Sequence, residues 1–426
     1  MKDYNLIKIA DGVDIVYAEA DRFKTNEVLV SFLQPLSADS ASANAMLINM
    51  LAHTTKDYPT VRELNKKLAM LYGAELNAAV SKLGENQMLS LVFSSLSDRF
   101  ALDNESIGLD SFKLLMKLIF EPNTDENGDF SPAQIKREGK LLIEKLNEEY
   151  NEKRIYALRQ LEKLMFEGEP YAVNRYGTKE QIAALDSAAL KNAYDTVIKT
   201  SKIRITIVGK VDIDSITSLA KEYFENVDRE YAAPEESVFI PSASEVKTKT
   251  ERINVEQGKL VIGYRVNERG DFESRPAERL FADIFGGGPY SKLFMNVREK
   301  LSLCYYCSAR YDRRKSNIII HCGCEEENME KAVSEIQNQL SEIENGNFKD
   351  ELEAAKMAKS DMLLSLNDDS VVLCMWYANQ ITDTAVLSPS QSAEENNAVT
   401  YDEVIECAKK LSLDSIFKLV SSKEGE

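Results

Sequence analysis

The sequence predicts an α+β protein built twice on one plan, and three observations carry that prediction. Strand-like and helix-like stretches come in segregated runs, the order of the runs recurs in the second half, and the stretch between the copies has the chemistry of a linker. At 426 residues the chain exceeds one ordinary core, and roughly two to four domains of about 100–200 residues are expected.

The first copy opens with "EVLVSFL" (27–33), a β-branched and apolar run that reads as a strand. Residues 41–53 and 60–72 carry helical spacing, followed by two strands, "GAELNAAVSK" and "NQMLSLVFSSL". In the second copy "KLVIGYRV" (259–266) reads as a strand, 275–285 and 290–300 as helices, and "LCYYCSARY" and "SNIIIHCGC" as strands. Amphipathic helices follow each copy, at 105–121 and 132–166 in the first and at 327–345 and 348–366 in the second. Each half closes on a helix feeding a strand, within 185–212 and 399–422. "AAPEESVFIPSASEVKTKT" (232–250), with its proline, serine and charge, suits an exposed linker. The expected domains are therefore 1–231 and 251–426, joined by 232–250.

Composition excludes several functional classes. Apolar residues at 44% and charged residues at 29% are ordinary for a folded globular chain. A net charge of −18, with no basic stripe to offset it, repels phosphate backbones and anionic lipid, so nucleic acid is not an expected partner. The N-terminus intersperses charges among its apolar residues, unlike a secretory signal, and no uninterrupted apolar run reaches the about 18 residues of a membrane span. A cytoplasmic location without membrane contact is the expectation. Six cysteines in so long a chain make no disulfide framework. Cys304 and Cys307 stand three apart, which on a strand turns them to opposite faces, whereas Cys322 and Cys324 share one. These cysteines read as structural rather than as a zinc site.

Several stretches, in order, resemble the pitrilysin family, the insulinase and mitochondrial-processing-peptidase type of zinc metallopeptidase. They are 44–78 ending in "LYGAELNA", 165–212 from "MFEGEPYAVNRYGTKEQ" onward, and "DIFGGGPYSKLFMNVREKLSLCYY" (283–306). The likeness spans nearly the whole chain. It implies two tandem homologous domains, each a mostly antiparallel sheet covered by helices. Bacterial non-peptidase members of this kind are associated by name with modification of elongation factor P.

Active members carry H-x-x-E-H on the first helix, two imidazoles one turn apart for zinc and a glutamate as base for the attacking water. Counting back from "LYGAELNA", that motif falls on Ala45, Met46, Leu47, Ile48 and Asn49 of "NAMLINMLAHTT". Sliding it by a turn to use His53 puts Asn49 and Ala52 at the other positions, and no glutamate occurs between Glu27 and Glu63. With Glu138 matched to the family's upstream glutamate in "KREGKLLIEKLNEE", the third ligand position is Lys145, with Glu144 beside it. An ammonium there repels a metal unless it loses its proton. No catalytic residue, metal or cofactor is therefore expected, and His53 and His321 read as structural.

The resemblance further assigns Arg298 and Tyr305, in "REKLSLCY", to holding the substrate backbone, and makes Gly286, Gly287 and Gly288 a substrate-contacting stretch. The residues alone also fit a helix-end cation, a core aromatic and a backbone turn. The expected function is a non-catalytic subunit pairing with a zinc-bearing paralogue to enclose peptide. The alternatives are a stand-alone peptide-binding adaptor, which could self-associate, and, behind both, a live metallopeptidase using His53, Glu144 or the cysteines.

Overall fold

The protein is described from a computed structural model covering residues 3–268 and 275–422. The outermost ends of the two expected domain spans, 1–2 and 423–426, and the segment 269–274 lie outside the described residues.

The chain begins with β1 (Asn5–Ala10), β2 (Val13–Glu19) and β3 (Thr25–Pro35), followed by α1 (Ala41–Leu51) and α2 (Val61–Met70). Then come β4 (Glu75–Leu83), β5 (Asn86–Leu96), α3 (Ile107–Phe120), α4 (Pro132–Asn151) and α5 (Lys153–Met165). Helices α6 (Lys179–Ala184) and α7 (Ser187–Thr200), strand β6 (Lys202–Gly209) and α8 (Ile213–Glu225) complete the first half. The second half runs β7 (Lys247–Ile253), β8 (Lys259–Val266), α9 (Pro276–Gly286), a π-helix (Leu293–Lys300), β9 (Tyr306–Asp312) and β10 (Asn317–Gly323). It ends with α10 (Met329–Glu344), α11 (Lys349–Ser365), α12 (Ser370–Ala378), α13 (Pro389–Ala398), α14 (Tyr401–Lys409) and β11 (Leu411–Ser421).

The sheets repeat one topology. The first has the order β1-β2-β6-β3-β5-β4 and the second β7-β11-β8-β10-β9. In each, one parallel pair, β2 with β6 and β7 with β11, adjoins a run of antiparallel strands. The fold is thus the expected α+β class with mostly antiparallel sheets.

Packing gathers the chain into two units, one of Met1–Leu146, Val173–Glu236 and Leu366–Ser388, the other of Asn147–Ala172, Ser237–Ser365 and Pro389–Glu426. In unit 1, Val28, Val30 and Phe32 of β3 join the core made with α1, α3 and α7, while Leu29 faces a smaller cluster with Leu373, Cys374 and Tyr377 of α12. Both faces of the strand are buried, so its text is a continuous apolar run rather than a clean alternation. In unit 2, Leu260 and Ile262 of β8 face the main core, and Val261 faces Ala157 and Leu161 of α5. Each sheet is therefore covered on its second face by a helix from the other half of the sequence.

The helix expected over 132–166 divides at Glu152, whose side chain accepts the backbone N–H of Arg154 and caps α5. The irregular stretch expected as a linker ends at 246, where β7 begins. Helix α2 starts in a capping box: the Thr60 hydroxyl accepts the Glu63 N–H, and the Glu63 carboxylate accepts the Thr60 N–H. It stops at Tyr72 and Gly73, both at positive φ, which turns the chain into β4.

Candidate functional site

In unit 1 side chains of α4 reach the end of α1. Gly139 of α4 faces Met46 of α1, where an added Cβ would lie 3.4 Å from the Met46 Cε, an ordinary van der Waals distance. Ala45 and Ile48 are buried in the core. Asn49 donates from Nδ2 to the Ala45 carbonyl at 2.7 Å, and its Oδ1 accepts from the Lys145 Nζ at 3.3 Å. The positions that the family register assigns to a histidine and the third ligand thus meet, as an amide and an ammonium bonded to each other. The ammonium supplies its own positive charge and offers no lone pair to a cation.

Two turns earlier on α4, buried Glu138 accepts from Arg137 and lies 3.1 Å from the His53 Nδ1. Burial pushes the Glu138 pKa up, but the His53 bond and the Arg137 charge outweigh it and hold the carboxyl below its ordinary value. His53 lies just past the end of α1 and is engaged with this one carboxylate. Glu144 is exposed on α4. Among the described residues, no group of three or more His, Asp or Glu side chains comes together here in a way that could hold a metal ion.

Unit 2 carries the other residues singled out by the sequence. The Arg298 guanidinium lies 4.6 Å from the centre of the Phe294 ring, and its Nε is 3.5 Å from Glu299. It sits on the π-helix, whose wider turn is seen where the Leu301 N–H reaches back five residues to Asn296 O at 3.1 Å. Tyr305 is 62% exposed, so the core-aromatic reading does not hold; its N–H bonds Gly323 O at 2.8 Å and leaves the phenol outside. At the end of α9, a Cβ on Gly286 would come within 2.4 Å of the Ala309 N, so this glycine permits the helix to close on β9. Gly287 is exposed and Gly288 half-buried.

The cysteines depart from the strand alternation. Sγ atoms of Cys304, Cys307 and Cys322 all lie within 4.8 Å of one another. Cys307 and Cys322 are direct cross-strand partners on β9 and β10. Cys304 joins them because β9 begins only at Tyr306, so Cys304 lies on the preceding bend, free of the strand's two-residue period. The positive φ of Ser302 helps to turn that bend. Hairpin pairing of "CYYC" with "HCGC" was the signal available in the sequence; the late strand start was not.

Comparison with known proteins agrees with this geometry. Residues 184–359 match the family described as "Peptidase M16 inactive domain". A Bacillus subtilis protein named "Probable inactive metalloprotease YmfF" is 27% identical over 96% of this chain and 96% of its own. A crystal structure of a conserved protein from Enterococcus faecalis superposes with a TM-score of 0.88 at 27% identity over the full length of both chains. A second, titled as a peptidase M16 inactive domain from Pseudomonas fluorescens, gives a TM-score of 0.79 at 16% identity, again over the whole of both. The family match, the relative's name and the altered zinc motif point the same way: residues 184–359 match the inactive domain of peptidase M16, and over nearly its whole length this chain is similar to a protein named as an inactive metalloprotease.

Proposed function

We propose that the chain is the non-catalytic partner of a zinc-bearing M16 paralogue and contributes a peptide-binding wall to the pair. The observation that carries this reading is the Lys145 to Asn49 bond, in which two positions matched to the metal seat satisfy each other while the surrounding fold is kept. A chain that retains this framework without a metal seat makes sense when a second chain supplies the metal. Peptide is the ligand favoured by the sheet edge. Strand β4 ends the first sheet with neighbours on one side only, and an extended peptide can add to such an edge through main-chain hydrogen bonds. Within unit 2, Arg298 and Tyr305 offer a cation and an exposed phenol that suit a peptide backbone. Cysteines that are all free and buried accord with a reducing, cytoplasmic setting.

Co-expression with an H-x-x-E-H paralogue from the same genome tests the pairing. Co-elution on a sizing column, with paralogue activity that depends on this chain, is the expected result. Separate elution with unchanged paralogue activity would overturn it. The exposed β4 edge also suits a stand-alone peptide binder, which would saturate with unstructured peptide without a partner.

A further inference from the structure

The three-cysteine cluster of unit 2 has no part in the reading above. Cys304, Cys307 and Cys322 are buried, at 8%, 5% and 1% exposure, within the same apolar core as Leu260, Leu293 and Ile320. None forms a disulfide. Cys324, wholly buried, lies two residues beyond Cys322. Single buried cysteines behave as small apolar side chains, but three brought to one point, with the strand alternation interrupted to include Cys304, form a convergent set of donors.

The spacing suits a shared ion. Metal–sulfur bonds of about 2.3 Å place three sulfurs roughly 4 Å apart around a trigonal or tetrahedral centre, inside the 4.8 Å limit within which these atoms lie. Thiolates select soft or borderline cations over Mg2+ and Ca2+. Three thiolates around a divalent ion leave one net negative charge, and the Arg298 guanidinium is near enough to act on Cys304. We propose that Cys304, Cys307 and Cys322 form a binding site for a thiophilic d10 cation, Zn2+ or Cu+, with Cys324 the nearest further sulfur. The site is separate from the metal seat of active family members, which belongs to the first helix. Its structural consequence is local. Tyr305 lies between two of the ligands, so a bound ion would pin the segment that presents this phenol.

The test uses the full chain, purified under reducing, oxygen-free conditions without chelator. Apo protein is titrated separately with Zn2+ and Cu+ against chromophoric competitors, and with Co2+ as a spectroscopic stand-in for Zn2+. About one ion bound per chain, with sulfur-to-cobalt charge-transfer absorption, is expected. Preference for one ion identifies which cation the site takes. Cys304→Ser should weaken binding by upward of about 100-fold, more than loss of an outer contact would cost, whereas Cys407→Ser, a buried cysteine outside the cluster, should leave it intact. Cys304 stands on the bend before β9, so its variant should retain the native circular dichroism even where Cys322→Ser fails to fold. Failure of the reduced chain to bind either ion, or binding unchanged in Cys304→Ser, would overturn the proposal. So would a Cys307–Cys322 disulfide in the isolated protein with no metal uptake after reduction.

Discussion

Lys145 and Asn49 give the clearest view of how the inactive state is built. A lost ligand set left as unpaired polar groups between packed helices would cost about 1–3 kcal/mol per group. Here the amide is satisfied on both sides, by the Ala45 carbonyl and the Lys145 ammonium. The register of the family resemblance indicated which residues occupy these positions, but it could not indicate that they bond. That depends on how the tertiary fold brings the side chains of α4 to the end of α1. His321 is a second informative residue. It lies on β10 with no hydrogen-bond partner for its Nδ1 among the described residues. Burial, then the charges of Arg154 and Arg310, pull its pKa down from 6.5 to about 4. The folded chain thus holds a neutral imidazole where the unfolded chain takes up a proton, so stability falls as pH drops from 6.5 toward 4. The gap is worth about 3 kcal/mol at most. Urea midpoints measured against pH should show a shallower acid slope in His321→Gln than in the parent; equal slopes would contradict this assignment.

Among elements, the placement of α5 and α12 is what the sequence hid. The recurring strand and helix order was legible because each element keeps its own period over many residues. The break at Glu152 was not, since "EEYNEKR" has good helix formers and a solvated face on both sides of it. Nothing local says which sheet an amphipathic helix will cover. β1 and β2 were missed for a related reason: charges interleave their apolar residues, and β2, on which β1 pairs, joins the sheet through β6 nearly two hundred residues away. Leu161 provides the check on α5. It is fully buried against Val261, Phe417 and Leu419, so Leu161→Ala should destabilise by about 2–5 kcal/mol. Hydrogen exchange should rise in β8 and β11, strands of the second sheet, and not in β3 or β5. The opposite pattern would mean that α5 belongs with the first sheet.

For the molecule as a whole, two α+β domains of similar plan were readable from the repeat, though the strand order of each sheet was not. Nor was the cysteine cluster, because the start of β9 at Tyr306, beyond Cys304, decides whether three thiols meet. On the proposed reading, an acidic chain with this fold, an edge strand and no glutamate at the matched base position holds peptide rather than cutting it. The most direct measurement incubates the purified chain alone, with added Zn2+, with a mixture of unstructured peptides and reads the products by mass spectrometry. No cleavage is expected, with or without chelator; cleavage that a chelator abolishes would contradict the account.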